Sequence, residues 1–314
     1  MEYTQFKLKI KKGFLLLIFW SIIFSSRATT PPDSTNIKHS TINHPMLAAA
    51  IVTPASIYVG GISFLSFIWY RDKERVPFHF YNDNAGYLQM DKMGHAYAAY
   101  VESYLCYQWL RKAGVSKNKA LLFGGTAGII LQTPIEIFDG MYSGWGFSWG
   151  DMLANAAGSG FLIGQELLFD EQVVRYKFSF SKSEYFDQAN GYLGKNIFEN
   201  FFYDYNSHTH WFSLNANCIV QQDWLPPWIS ISAGYSANGM FGEFSNRSYY
   251  RGVRLPEVDR TRQFLLSLDI DWEKIPTQSR FLKTVFKGLN FVKIPFPALE
   301  VNSNGAFRAY WIYF

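Results

Sequence analysis

Cysteine is scarce: Cys106 and Cys218 are the only two and lie far apart, so there is no CxxC metal or redox pair. One disulfide is permitted but not indicated. Charge is scarce as well. Asp, Glu, Lys and Arg make up 17% of the 314 residues, and much of the formal +4 excess sits at Lys7, Lys9, Lys11 and Lys12. Nothing in that balance calls for a nucleic-acid partner. The GxSxG nucleophile elbow and the HExxH zinc pair are both missing. No cofactor is implied.

Aromatic residues, by contrast, reach 19% and hydrophobic residues 48%, a richness that points to a bilayer or its interface. Lys7 to Lys12 form a basic stretch, residues 14–24 an apolar run, and Ser26-Arg27-Ala28 a small-residue cleavage site. Residues 1–28 therefore read as a signal peptide. No Cys follows the run, so a lipoprotein anchor is not expected. Residues 29–45, rich in Ser, Thr and Pro, read as a disordered linker.

Residues 47–70 carry no charge over a length sufficient to cross a bilayer and are followed by Arg71, Lys73 and Arg75. Pro54 and the Gly60-Gly61 pair fit equally a helix buried among others or lying in an interface.

From Asp91 a helical period runs to a stop at Gly114. A second helix is expected over 116–133, with Gly124, Gly125 and Gly128 permitting close approach and Pro134 interrupting it. A third should start at Ser148, where S-x-x-D has capping-box spacing, and reach 169. Between them a loop alternates glycine with Tyr142, Trp145, Phe147 and Trp149.

After Asp170 the period becomes two. Phe212 to Val220, Ile229 to Ser236 and Phe264 to Trp272 alternate apolar with polar residues, a short helix is expected at 279–289, and 306–314 reads as a last strand. The expected class is α+β: a Gly-rich bundle of about four helices at 46–170, then an antiparallel strand-rich half at 171–314, membrane-associated. The terminal aromatic residues resemble the end of an outer-membrane barrel. The five or six strands in view fall short of the eight needed for closure, which favours a small sheet packed on the bundle or a membrane surface.

Asp91 and His95 lie one helical turn apart and share a face, as do Asp151 and Asn155; Glu136 and Asp139 lie about one turn apart after Pro134. Charged groups beside apolar helices are costly to bury unless they meet one another, so Asp91, Lys92, His95, Glu136, Asp139 and Asp151 form a candidate polar centre. Taken singly, Asp151 can be a helix cap, Lys92 a solvated side chain or the partner of Glu136, and His95 a satisfied core histidine.

Asp91-Lys92-Met93-Gly94-His95, Glu136-Ile137-Phe138-Asp139 and Gly146-Phe147-Ser148-Trp149-Gly150-Asp151, with Gly158 beyond, resemble the spaced blocks of the YfiM-like family of predicted periplasmic lipoproteins. Asp204-Tyr205-Asn206 and Trp211-Phe212-Ser213 resemble the extended form of that family found in Bacteroidetes-type bacteria. Ser148, Asp151, Asn155 and Gly158 look more distantly like VanZ-like membrane proteins. The resemblance implies an envelope address and names residues; it supplies no reaction.

Two functions compete. In one, the cluster is an ion-pair network fixing helix register in a structural or scaffold protein of the outer membrane or periplasmic face, the inner membrane being the alternative. In the other, His95 is a general base or metal ligand with acidic partners, acting on a lipid or cell-wall substituent. Lys92 opposes a metal but suits an anionic substrate. The partner expected in both is a membrane lipid or envelope component, with any protein partner open.

Overall fold

A computed structural model describes residues 42–71, 73–218 and 224–314. The signal peptide expected at 1–28 and most of the linker expected at 29–45 lie outside them. The first helix, α1 (His44–Trp69), starts inside the segment expected to be linker, because Asn43 caps it: its side-chain oxygen accepts the Met46 backbone N–H at 3.0 Å. α1 is long and apolar enough to cross a membrane, and only 6% of its most apolar stretch is buried.

The central helix, α2 (Met90–Lys112), carries half of the candidate centre. It is flanked by α3 (Lys117–Ala120), which runs through a π-helical turn (Leu121–Gly125) into α4 (Ala127–Asp139), and by α5 (Trp149–Phe169). Pro134 lies inside α4 and does not end it, contrary to expectation. Proline removes one i→i−4 bond, here to the Ile130 carbonyl, while packing of Gln132 and Glu136 inside the bundle holds the helix on both sides. The 117–139 segment also passes the length test for a membrane crossing, but 39% of its most apolar stretch is buried, as in a bundle helix.

Two glycines set the helix spacing. A Cβ at Gly128 of α4 would meet the Ala99 carbonyl oxygen at 2.2 Å, and one at Gly158 of α5 would meet that of Ala96 at 2.0 Å. Both helices thus touch the α2 backbone directly, and Ser103 Oγ bridges them by accepting Gly128 N–H at 3.0 Å and pairing with Ser159 Oγ at 2.9 Å.

The second half is antiparallel: β1 (Val174–Phe180), β2 (His208–Asn215), β3 (Ile229–Asn238), β6 (Thr261–Ile270), β7 (Phe296–Asn302) and β8 (Phe307–Tyr313) form one sheet in that spatial order. Between β1 and β2 lies α6 (Ile197–Tyr203), β4 (Tyr249–Tyr250) and β5 (Val253–Arg254) make a separate hairpin, and α7 (Arg280–Leu289) precedes β7. The strand expected through Val220 ends at Asn215, where a 3-10 turn (Ala216–Cys218) begins; residues 219–223 are outside the described set. The sheet rolls until residues 291–293 reach the β1 edge, with Phe178 N–H donating to Phe291 O at 3.0 Å and Lys293 N–H to Phe178 O at 2.9 Å.

The faces of this roll are inverted. One row, Ser213, Ser232, Ser267 and Ala298, points inward; the neighbouring row, Phe212, Ala233, Leu266 and Leu299, points outward. Inside, Lys177 Nζ meets Asp269 Oδ2 at 2.8 Å, both fully buried, and Ser213 Oγ donates to the same oxygen at 2.5 Å. Outside, Phe264, Leu266, Leu268, Leu299 and Val301 stand about half exposed. The bundle covers the β1–β2 part of the outer face: Tyr176 and Phe212 stack at 4.5 Å, Phe161 of α5 meets Phe212 edge-on, and the Tyr176 hydroxyl donates to Met93 O at 2.8 Å.

Candidate functional site

The site is built where the roll presses on the start of α2. Tyr87, Leu88 and Gln89, at φ 44°, 51° and 65°, form a left-handed turn without glycine, a conformation that costs on the order of 1–2 kcal/mol per residue. The second half holds it there. The Tyr235 hydroxyl donates to Leu88 O, Arg262 Nη2 donates to Gln89 Oε1 at 2.6 Å, and Tyr87 N–H donates to Glu243 O at 2.7 Å.

α5 runs parallel to α2 and α4 antiparallel, so the glycine contacts bring Asp151 and Glu136 to the first two turns of α2. Ser148 caps α5 by accepting Asp151 N–H at 3.1 Å. Lys92 Nζ then lies 2.7 Å from Asp83, 2.7 Å from Asp151 and 3.2 Å from Asp91. It pairs with these three and not with Glu136, the partner considered from sequence, because Glu136 lies across the bundle beside His95. Ser148 Oγ donates to Asp83 at 2.6 Å and the Tyr205 hydroxyl to Asp91 at 2.5 Å. Each carboxylate of this half has Lys92 within ion-pair range, although Asp151 Oδ1 has no hydrogen-bond partner.

The other half has no ion pair within hydrogen-bond reach. His95 Nδ1 faces Asn155 Oδ1 at 3.3 Å, while Nε2 stands 3.6 Å from Glu136 Oε1 and 3.9 Å from Asp151 Oδ1, both too long for hydrogen bonds. Glu136 is 1% exposed. Its Oε2 accepts Ser148 N–H at 3.1 Å, but its Oε1 has no hydrogen-bond partner, and neither does the Nδ2 of the fully buried Asn155. Asp139 is tied to the edge of the cluster by the Tyr70 hydroxyl at 2.6 Å. The structure thus gathers all six residues named from sequence, with Asp139 outermost.

Electrostatics follow from five carboxylates (Asp83, Asp91, Glu136, Asp139, Asp151) around two cations (Lys92, His95). Burial opposes the imidazolium, yet Asp91, Asp151 and Glu136 outweigh it and lift His95 to about 9. Burial likewise opposes the charged Lys92, but Asp91 and Asp151 raise it. Burial lifts Glu136 to about 8 against the pull of His95, and lifts Asp139 to about 6 against the Tyr70 hydrogen bond. Asp151 rises to about 7 through burial and the charge of Asp91. Burial works to raise Asp91 too, but His95, Lys92 and the Tyr205 hydroxyl bring it below the usual value. The centre therefore holds protons at neutral pH.

Three participants escaped sequence reasoning. Asp83 lies in an Asn-Asp-Asn loop that signals only a turn. Tyr70 follows α1 with no mark of its partner. Tyr205 falls in the Asp204-Tyr205-Asn206 block, whose resemblance flagged it without a role. The two cysteines are free.

A family model described as predicted periplasmic lipoprotein (DUF2279) matches residues 79–164. That segment contains Asp83, all six named residues, and the helices that position them. No curated protein and no solved structure matches the chain. By that match and its description, this is an exported envelope protein at the periplasmic or outer-membrane face, with α2, α4 and α5 forming the part similar to the family.

Proposed function

We propose that the protein is an envelope enzyme in which the Lys92 half of the cluster clamps the helices and the His95 half transfers a proton to or from a bound lipid or cell-wall substituent. One observation carries this reading: the buried Glu136 directs an unpartnered Oε1 at His95 Nε2 from 3.6 Å. A purely structural network is expected to satisfy its buried members. Lys92 is neutralised by three carboxylates, so the net charge favours a neutral or cationic group over the anionic head group considered from sequence.

The inverted roll supports a seat against lipid. A sheet in water turns its apolar row inward, whereas here Phe264, Leu266, Leu268, Leu299 and Val301 face out over a polar interior, the polarity of lipid-facing strands. The resemblance to YfiM-like and VanZ-like envelope proteins accords with that address.

The test is His95→Gln in a strain lacking the native gene. Unchanged folded yield with loss of rescue of the envelope phenotype is expected. Full rescue, or loss of folding itself, would return the cluster to a scaffold role.

A further inference from the structure

The ion-paired Lys92 half and the loosely contacted His95 half differ in what they can accept. Asn155 Oδ1, fully buried on α5, faces His95 Nδ1 at 3.3 Å. That contact favours keeping the proton on Nδ1, so Nε2 is the nitrogen that would give up its proton to a metal. Nε2 looks toward Glu136 Oε1 at 3.6 Å and Asp151 Oδ1 at 3.9 Å. Ligand atoms of His95, Asp151 and Asp91 all lie within 4.8 Å of one another. The 3.6 and 3.9 Å separations fit atoms arranged around one cation with bonds of roughly 2.0–2.2 Å.

We propose that His95 Nε2, Asp151 and the unpartnered Oε1 of Glu136, with Asp91 beside them, bind one divalent first-row cation of the zinc or manganese type. The inference rests on reading the His95 half as a site and names its occupant; with the cation on Nε2, His95 would position it rather than carry the proton itself. One imidazole nitrogen with carboxylate oxygens suits such ions; calcium and magnesium take all-oxygen sets, and no thiolate is at hand for a softer metal. Lys92 does not forbid it. Its ammonium lies 2.7 Å from Asp151 Oδ1 and 3.2 Å from Asp91, and on cation binding would turn to Asp83, also at 2.7 Å and outside the proposed ligand set, while the carboxylates of the cluster outnumber its cations. Glu136, 1% exposed, supplies the second argument beyond the acidic grouping: its buried Oε1 is aimed at His95 and has no hydrogen-bond partner.

The experiment is calorimetric titration of the detergent-solubilised full chain with Zn2+ and with Mn2+ after chelator dialysis. The expected result is one equivalent bound for at least one of the two. Affinity should fall at least tenfold in both His95→Gln and Glu136→Gln, with circular dichroism unchanged, and should hold in Asp187→Asn at the exposed Lys182 pair. Absence of saturable binding of either ion, or equal affinity in His95→Gln, would overturn the metal site. Absence of binding with rescue still dependent on His95 would overturn the metal alone and leave the proton-transfer reading standing. Binding with rescue independent of His95 would do the reverse.

Discussion

Lys92 Nζ and Asp151 Oδ1 meet at 2.7 Å, joining the first turn of α2 to the first turn of α5 through a lysine side chain only 13% exposed. The same ammonium holds Asp83 and Asp91, so Lys92→Met strands three carboxylates. Breaking one partner out of a buried ionic group costs about 3–5 kcal/mol. Urea unfolding should register a loss of that order, and a loss below about 1 kcal/mol would remove the clamp.

Gly158→Ala places a methyl group 2.0 Å from the Ala96 carbonyl. Backbone cannot yield as a flexible side chain does, so α5 must move away from α2, at about 1–3 kcal/mol for overpacking. Denaturant unfolding checks the stability. Alanine at Gly160, where a Cβ meets nothing within 4 Å, should be neutral or stabilising in the same assay.

Glu102, further along α2, accepts Gln132 Nε2 at 2.9 Å while its Oε2 has no partner. Burial lifts it from 4.5 to about 7. With the folded value above the unfolded one, its stabilising contribution is complete below pH 4.5 and is lost as pH rises through 7. Melts of the native chain should therefore decline between pH 5 and pH 8, and Glu102→Gln should lose part of that decline and gain stability at pH 8. An unchanged slope would show that the carboxyl titrates normally.

Leu266, 52% exposed on the outer row, distinguishes water from lipid as its surroundings. In water Leu266→Lys is nearly neutral, whereas a lysine on a lipid-facing strand costs up to about 2–4 kcal/mol. Flotation with phospholipid vesicles should weaken markedly in the variant, with folding in detergent retained. Equal flotation would argue against a lipid seat for this face.

Much of the architecture was legible because periodicity is local. The 3.6 pattern from Asp91, the Ser148 cap and the alternation in β3 and β6 depend on neighbours in sequence, and each appears where expected. Pro134 was misread as a break because tertiary packing outweighs one missing hydrogen bond. The inversion of the roll was not legible: alternation tells that a strand has two faces, not which one water or lipid meets. The site shows the same division. One-turn spacings paired Asp91 with His95 and Asp151 with Asn155, whereas Asp83 and Tyr205 arrive from a loop and from the second half through folding alone. The partner of Lys92 was likewise set by where Gly128 and Gly158 let α4 and α5 approach.

The division of the cluster into a clamp and a working half is tested most directly by melting Lys92→Met and His95→Gln side by side at pH 7. Lys92 has three carboxylates within 3.2 Å, whereas His95 has one polar contact, at 3.3 Å, and two beyond hydrogen-bond reach. The expected result is a fall of more than about 5 °C for Lys92→Met and a clearly smaller fall for His95→Gln, which loses a charge its carboxylate neighbours favour but no ion pair within hydrogen-bond reach. A fall at His95 as large as that at Lys92 would contradict the account.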